Sequence, residues 1–349
     1  MFQSRLLLSA LSACAVLVAP ALAPAQSPTD RFPRPIPMGV SIGTTPSLPF
    51  IFAGTAGLKV QLKANPARKF ILSNNHVLGA KGPTLCPNTA DSNTYATQPG
   101  DLELGFDPGV DPFYVVGKFA ARAPMVTGGA ANNVADAAIA FTSDALASSE
   151  IFNLGEPDTT PVAPAVGMQV TKSGRTTGTT TGTISTVNMT VSVSYGNGCP
   201  VYRFIRQVEI ASSTFSSSGD SGSAILQAST LKPTALLFAG SPTSTVGNDI
   251  NNVFAQLAVE PNGAALANAA QESNVKDPEQ ARLEAIQSGH EASFFQHSDV
   301  VGVGLSKDES GWFVKVHAKK LSAELQNAIP TSVEGVRVKV VESGEFRAY

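Results

Sequence analysis

Ser216-Ser217-Ser218-Gly219-Asp220-Ser221-Gly222-Ser223 is a run of small residues broken by one carboxylate, and the apolar run Ala224-Ile225-Leu226 follows it at once. So little side-chain bulk lets backbone amides turn toward a single point. A serine nucleophile needs this, because the oxyanion formed on an attacked carbonyl is held by preorganised N–H donors. Taken alone, the stretch fits a Ser/Gly-rich surface turn equally well. The reading therefore depends on a base and an orienting acid elsewhere in the chain.

Working upstream, short alternating segments dominate. Leu58 to Lys63 alternates apolar and polar residues, and Phe70-Ile71-Leu72-Ser73 is a second strand that runs directly into Asn74-Asn75-His76-Val77-Leu78. His76 is the only histidine before residue 290. Further along, Asp136 opens the apolar run Ala137-Ala138-Ile139-Ala140-Phe141, and a carboxylate at the edge of a core needs a partner to remain charged. An imidazole N–H is a suitable one. Asp101, Asp107 and Asp111 are weaker candidates, since each lies in a Gly/Pro-rich turn where Asp commonly serves its own backbone. Leu102 to Phe106, Tyr114 to Phe119, Thr179 to Tyr195, Arg203 to Ile210 and Leu236 to Ser241 read as further strands. Lys172 to Gly178 reads as a hairpin turn, lacking the Gly-Lys-Ser/Thr ending of a phosphate loop, and Asn252 to Val259 has helical spacing. The Pro-rich leader Phe32 to Met38 is too proline-dense to sit inside a sheet.

Gly219-Asp220-Ser221-Gly222 resembles the nucleophile loop of the chymotrypsin-like (trypsin family) serine peptidases, of the bacterial exported type. The strand-end His76, the segment from Asp136 to Ala140 and the Ser-Gly-x-Thr-Thr-Gly pattern at 173–178 resemble other segments of the same family. The order His76, Asp136, Ser221 is the family's own, distinct from the orders of α/β-hydrolases and subtilisin-like enzymes. The resemblance covers about residues 39 to 260. It implies an all-β fold of two antiparallel β-barrels with the active site between them, and a polypeptide substrate. His76, Asp136 and Ser221 would be catalytic, and the Gly219 and Ser221 amides would form the oxyanion hole. Ala239-Gly240-Ser241 would pair with the substrate backbone, and Phe215 would stand where trypsin-like members carry a pocket-floor acid, which disfavours Lys or Arg at the cleavage site. Val77 and Ser223 depart from residues common in the family. No Ile-Val-Gly-Gly-like start stands near Gly39 to Gly43, so activity without a cut there is expected.

A net charge of −3 over 349 residues gives no electrostatic reason to expect nucleic acid or a membrane surface as partner. Residues 1–25 read as a secretory signal peptide, with cleavage after Ala25 and export to the periplasm or beyond. A second reading takes Leu11-Ser12-Ala13-Cys14 as a lipobox with Cys14 lipidated. Cys86 and Cys199 lie in Gly/Pro-containing loops and could pair in an oxidising compartment or remain two thiols. No metal-ligand spacing and no cofactor motif is present, no later segment is apolar enough to span a membrane, and nothing fixes the oligomeric state.

Residues 26–260 form the expected peptidase domain. From 261 to 290 the composition shifts to that of a helical or flexible linker. Residues 291–349 read β-β-α-β, a small separate α+β module that includes His297 and His317. Two rival functions stay open: a catalytically inactive peptide-binding protein on the same barrels, and an esterase of another fold that would need its histidine after Ser221.

Overall fold

A computed structural model describes residues 26–81, 86–128, 131–196, 198–265 and 278–349. Both readings of the leader's processing fall outside these residues, as do residues 266–277 of the linker.

Two curled antiparallel sheets carry the molecule. In the first, Leu58–Leu62, Asn65–Ser73, Ala138–Thr142, Val115–Arg122, Tyr95–Thr97 and Ser41–Thr45 lie side by side in that order. Residues 54–57 close the curl, because Thr55 pairs with Ser41 on one side while the Gly57 N–H donates to the Leu72 carbonyl at 2.8 Å on the other. In the second, Gln169–Gly174, Ala224–Gln227, Pro233–Ser241, Ser244–Asp249, Val201–Ile210 and Gly178–Ser194 follow one another, and the last strand pairs back with the first. This is a closed six-stranded barrel. Its longest strand, Gly178–Ser194, spans 17 residues rich in Thr, Ser and Val and shifts register against Val201–Ile210 at three points, which bends it around the barrel. The helix Ile250–Leu257 buries Ile250, Val253, Phe254 and Leu257, and Asp249 caps it by accepting the Asn251 N–H.

Two local expectations are corrected. Leu102 to Phe106 is not a strand; Asp101–Leu104 is a single helical turn, stopped by Gly105 in the left-handed region at φ 73°. The two leucines mimic strand alternation, but what fixes the turn is the buried Asp101 carboxylate, which accepts from the Ser47 hydroxyl and the Phe52 N–H. The Pro-rich leader does contribute a strand, Ile36–Met38, which pairs in parallel with Ala147–Ile151 outside both barrels. An edge position tolerates the missing proline N–H.

The β-β-α-β order of the C-terminal region is present as Val300–Asp308, Gly311–Ala318, Ala323–Ala328 and Val336–Glu342. Its sheet is continuous with the second barrel, because Val300–Asp308 pairs with Gly178–Ser194 from Thr186↔Ser306 to Val191↔Gly302. Helix Pro278–Phe294 runs across residue 290 and buries Leu283 and Ile286 in the same apolar cluster as Val187, Ile210 and Val303. At this seam Glu209 is wholly buried, 2.8 Å from Lys315 Nζ and 3.7 Å from His317 Nε2, and it accepts from Ser244 and Thr186. A disulfide joins Cys86, from the first barrel, to Cys199, from the second, with 5.6 Å between their Cα atoms. Closing so long a loop restricts the unfolded chain, a stabilisation of roughly 2–4 kcal/mol.

Burial holds the His317 imidazole down to about 4 from 6.5. Burial pushes Glu209 up, but the charges of His317 and Lys315 with the hydrogen bonds outweigh it and bring the carboxyl to about 2 from 4.5. Both folded values lie below the unfolded ones, so the unfolded chain takes up more protons on acidification. Stability is complete above about pH 6.5 and falls through pH 4 and then toward 2. Urea melts at pH 7 and pH 4 should differ by about 3 kcal/mol from His317 alone, and His317→Leu should remove that part of the difference.

Candidate functional site

His76 sits on the single turn Asn75–Leu78, which follows the strand Asn65–Ser73 and packs with all four residues buried. Asp136 enters the same place from the neighbouring strand Ala138–Thr142. Asp136 Oδ2 lies 2.5 Å from His76 Nδ1, and its Oδ1 accepts the His76 backbone N–H at 3.1 Å. The phenol of Tyr195 donates to Oδ2 at 2.7 Å, so both carboxylate oxygens are engaged. Asn74 donates to the Asp136 carbonyl, and the Asp136 N–H donates to Asn248. Burial, and then the adjacent Asp136 charge, hold the Tyr195 hydroxyl well above its ordinary value, which keeps it a donor. This arrangement commits Nδ1 to Asp136 and leaves Nε2 facing the groove.

The 216–223 loop closes the other side of the groove. Its carboxylate, Asp220, is wholly buried and accepts from the Ser217, Thr176 and Thr177 N–H groups and from the Thr177 hydroxyl. Lys172 Nζ stands 3.6 Å away; burial draws its pKa down while Asp220 draws it up. The hairpin turn 175–177 therefore folds over Asp220 and fixes the loop. Gly219 and Gly222 have φ of 97° and 94°, and a Cβ on Gly222 would collide with Ser73 Oγ and the Thr55 carbonyl. Thr55 N–H donates to the Ser221 carbonyl at 2.7 Å, which ties the loop to the first barrel beside His76. Among the described residues, the Gly219 and Ser221 N–H groups have no protein acceptor. Ser221 Oγ donates to the Phe238 carbonyl at 3.3 Å.

Ala239, Gly240 and Ser241 finish the strand Pro233–Ser241 on the wall of this groove. Phe215 is buried behind it, with its carbonyl taking the Thr180 hydroxyl. The weaker acids serve elsewhere: Asp107 accepts from Thr45, Ser47 and Gly109, and Asp111 from the Phe113 N–H. Asp101, held up to about 6 by burial, secures the 47–52 loop. Tyr195, Asn248 and Lys172 escape a sequence reading, because each reaches the site from a strand far along the chain with no local pattern to mark it. Among the described residues no cluster of His, Cys, Asp or Glu could hold a metal ion, and no helix is long and apolar enough to cross a membrane.

Two antiparallel barrels, with a His–Asp pair bonded to residues of both, are the architecture that the resemblance to the chymotrypsin-like serine peptidases implies. Among solved structures, the chain is similar to a glutamic acid-specific serine protease at 18% identity and a TM-score of 0.43, over 65% of this chain and 100% of that one. It is also similar to Thermobifida fusca protease A (15%, TM-score 0.42, 64% and 96% of the two chains) and to Cellulomonas bogoriensis chymotrypsin (16%, 0.41, 64% and 96%). No family model and no curated protein matches the chain.

Removing one member of a buried ion pair strands the other. Lys172→Met should cost about 3 kcal/mol, and a double-mutant cycle with Asp220→Asn in urea measures the coupling between the two side chains.

Proposed function

We propose that the chain is a serine endopeptidase that cleaves peptide bonds through an acyl-enzyme on Ser221. The observation that carries this is the wholly buried Asp136 carboxylate, bonded to His76 Nδ1 and so leaving Nε2 to face outward. In the proposed reaction His76 Nε2 takes the Ser221 proton as Oγ attacks the carbonyl carbon, then returns it to the leaving amine. Water enters by the same route to free the acid. Asp136 holds the tautomer and stabilises the imidazolium, while the Gly219 and Ser221 N–H groups receive the oxyanion. Ala239 to Ser241 would pair with the substrate backbone as an added strand.

Lys172 supplies a cation to Asp220 from within the barrel, which supports activity without a freshly cut N-terminus near residue 39. Phe215 offers no carboxylate for a Lys or Arg side chain. The Cys86–Cys199 disulfide supports residence in an oxidising compartment, in keeping with export. One observation favours an inactive peptide-binding protein instead: Ser221 Oγ is bonded to the Phe238 carbonyl.

A fluorophosphonate probe separates the two. Labelling at Ser221 that Ser221→Ala and His76→Ala each abolish, with folding retained, is expected of the peptidase. The two losses should not add when combined. Asp136→Asn should lower turnover by about 10⁴, through the wrong tautomer. Wild-type protein that resists the probe would favour the binding protein.

A further inference from the structure

The groove is occupied by the chain itself. Phe346–Ala348 forms a short strand antiparallel to the groove wall, with Ala348 opposite Ala239 and Arg347 opposite Gly240. Its other edge pairs in parallel with Val193 and Ser194. Chain direction then brings Tyr349 to His76, whose Nε2 lies 3.2 Å from the Tyr349 backbone oxygen. The Tyr349 phenol reaches back against Gly240, where a Cβ would collide with its hydroxyl, and lies beside the Ser216 side chain. Ser216 is itself fixed, 2.5 Å from the Thr245 hydroxyl. Burial raises the phenol's pKa, so it enters as the neutral form. Upstream, Phe346 is wholly buried among Val191, Val193, Phe238 and Val301, with its ring 5.6 Å from that of His317. The segment is thus anchored by one aromatic side chain and aimed by another.

We infer that the groove selects an extended peptide with tyrosine immediately before the attacked carbonyl, and that Phe346 to Tyr349 is a built-in ligand of that class which keeps the groove closed to other chains. The inference deepens the proposed peptidase function and rests on it. Three features make the selection. Gly240 leaves space that any side chain would fill. Ser216, held by Thr245, sets a polar group beside the phenol. Asp220, the nearest carboxylate, is committed to Lys172, Thr176, Thr177 and Ser217, so a guanidinium or ammonium would find no free partner.

The test compares the full chain with its Tyr349→Gly variant, which keeps the Phe346 anchor. Amide exchange over 237–241 should be at least tenfold faster in the variant. The free peptide Gly-Glu-Phe-Arg-Ala-Tyr should restore protection, while the same peptide ending in Arg or Glu should need at least tenfold more. Fluorophosphonate labelling of Ser221 should rise at least tenfold in the variant and be reversed by the Tyr peptide. Gly240→Val, added to the variant, should abolish the preference for Tyr. Equal exchange in the two proteins, or equal competition by the three peptides, would overturn the inference. If neither protein is labelled, the nucleophile reading fails; exchange and competition still decide what the groove holds.

Discussion

A carboxylate buried where two barrels meet has to be satisfied from both of them. The Asp136 carboxylate draws His76 from the first barrel and Tyr195 from the second, while Asn74 binds its backbone carbonyl and Asn248 its backbone N–H. Leaving such a group short of donors would cost more than the hydrogen bonds return, so its needs constrain the relative setting of the barrels. The candidate groove follows from that setting. His76 Nε2 faces outward because Nδ1 is committed inward, and Thr55 binds the Ser221 loop to the first barrel. A second buried acid, Asp220, does comparable work one layer away. Its four hydrogen bonds, with Lys172, give the small-residue loop one conformation instead of many.

What could be read in the sequence was what is encoded locally. Short apolar runs identified the strands beside His76 and Asp136, and the glycine-flanked Asp220-Ser221 pair announced a loop, in which Gly219 and Gly222 take positive φ. The turn at 175–177 was legible from its composition, but its purpose was not, since only the folded barrel sets Thr176 and Thr177 over a carboxylate more than 40 residues later. Tyr195 lies at the end of a long Thr/Val/Ser stretch and bonds an acid 59 residues earlier. No spacing rule connects such residues. Leu102 and Leu104 failed for the opposite reason: a two-residue alternation suggested a strand, yet Leu102 remains 43% exposed and a buried acid decides the local fold. Alternation predicts a strand only where one face has a core to meet.

The C-terminal region illustrates the same limit at larger scale. Its β-β-α-β pattern is complete, and a polar stretch precedes it, which are the local signs of a separate unit. Whether two sheets join is decided at their edges, and Gly178–Ser194 is long enough to serve the barrel and still offer Thr186 to Val191 to Val300–Asp308. Burial of Glu209 beneath Lys315 and His317 then makes the seam polar inside and apolar around, so both partners contribute residues that neither could leave exposed at no cost.

Strand edges also explain why the tail takes the place it does. Ala224–Gln227 pairs with Pro233–Ser241 only as far as Leu236, and Val300–Asp308 leaves Gly178–Ser194 after Val191. Ala239-Gly240 on one side and Val193-Ser194 on the other therefore present backbone groups without a neighbouring strand in those ladders, and open edges of this kind accept an added strand readily. Phe346–Ala348 fits between them, parallel to one and antiparallel to the other. Because the backbone of the strand fills this gap whatever its sequence, hydrogen bonding along it cannot discriminate between occupants. Discrimination falls to the side chains at its two ends: Phe346, which needs an apolar chamber, and Tyr349, which needs the absence of a side chain at Gly240. An occupant lacking the second aromatic would keep the ladder and lose the contact that brings its carbonyl to His76.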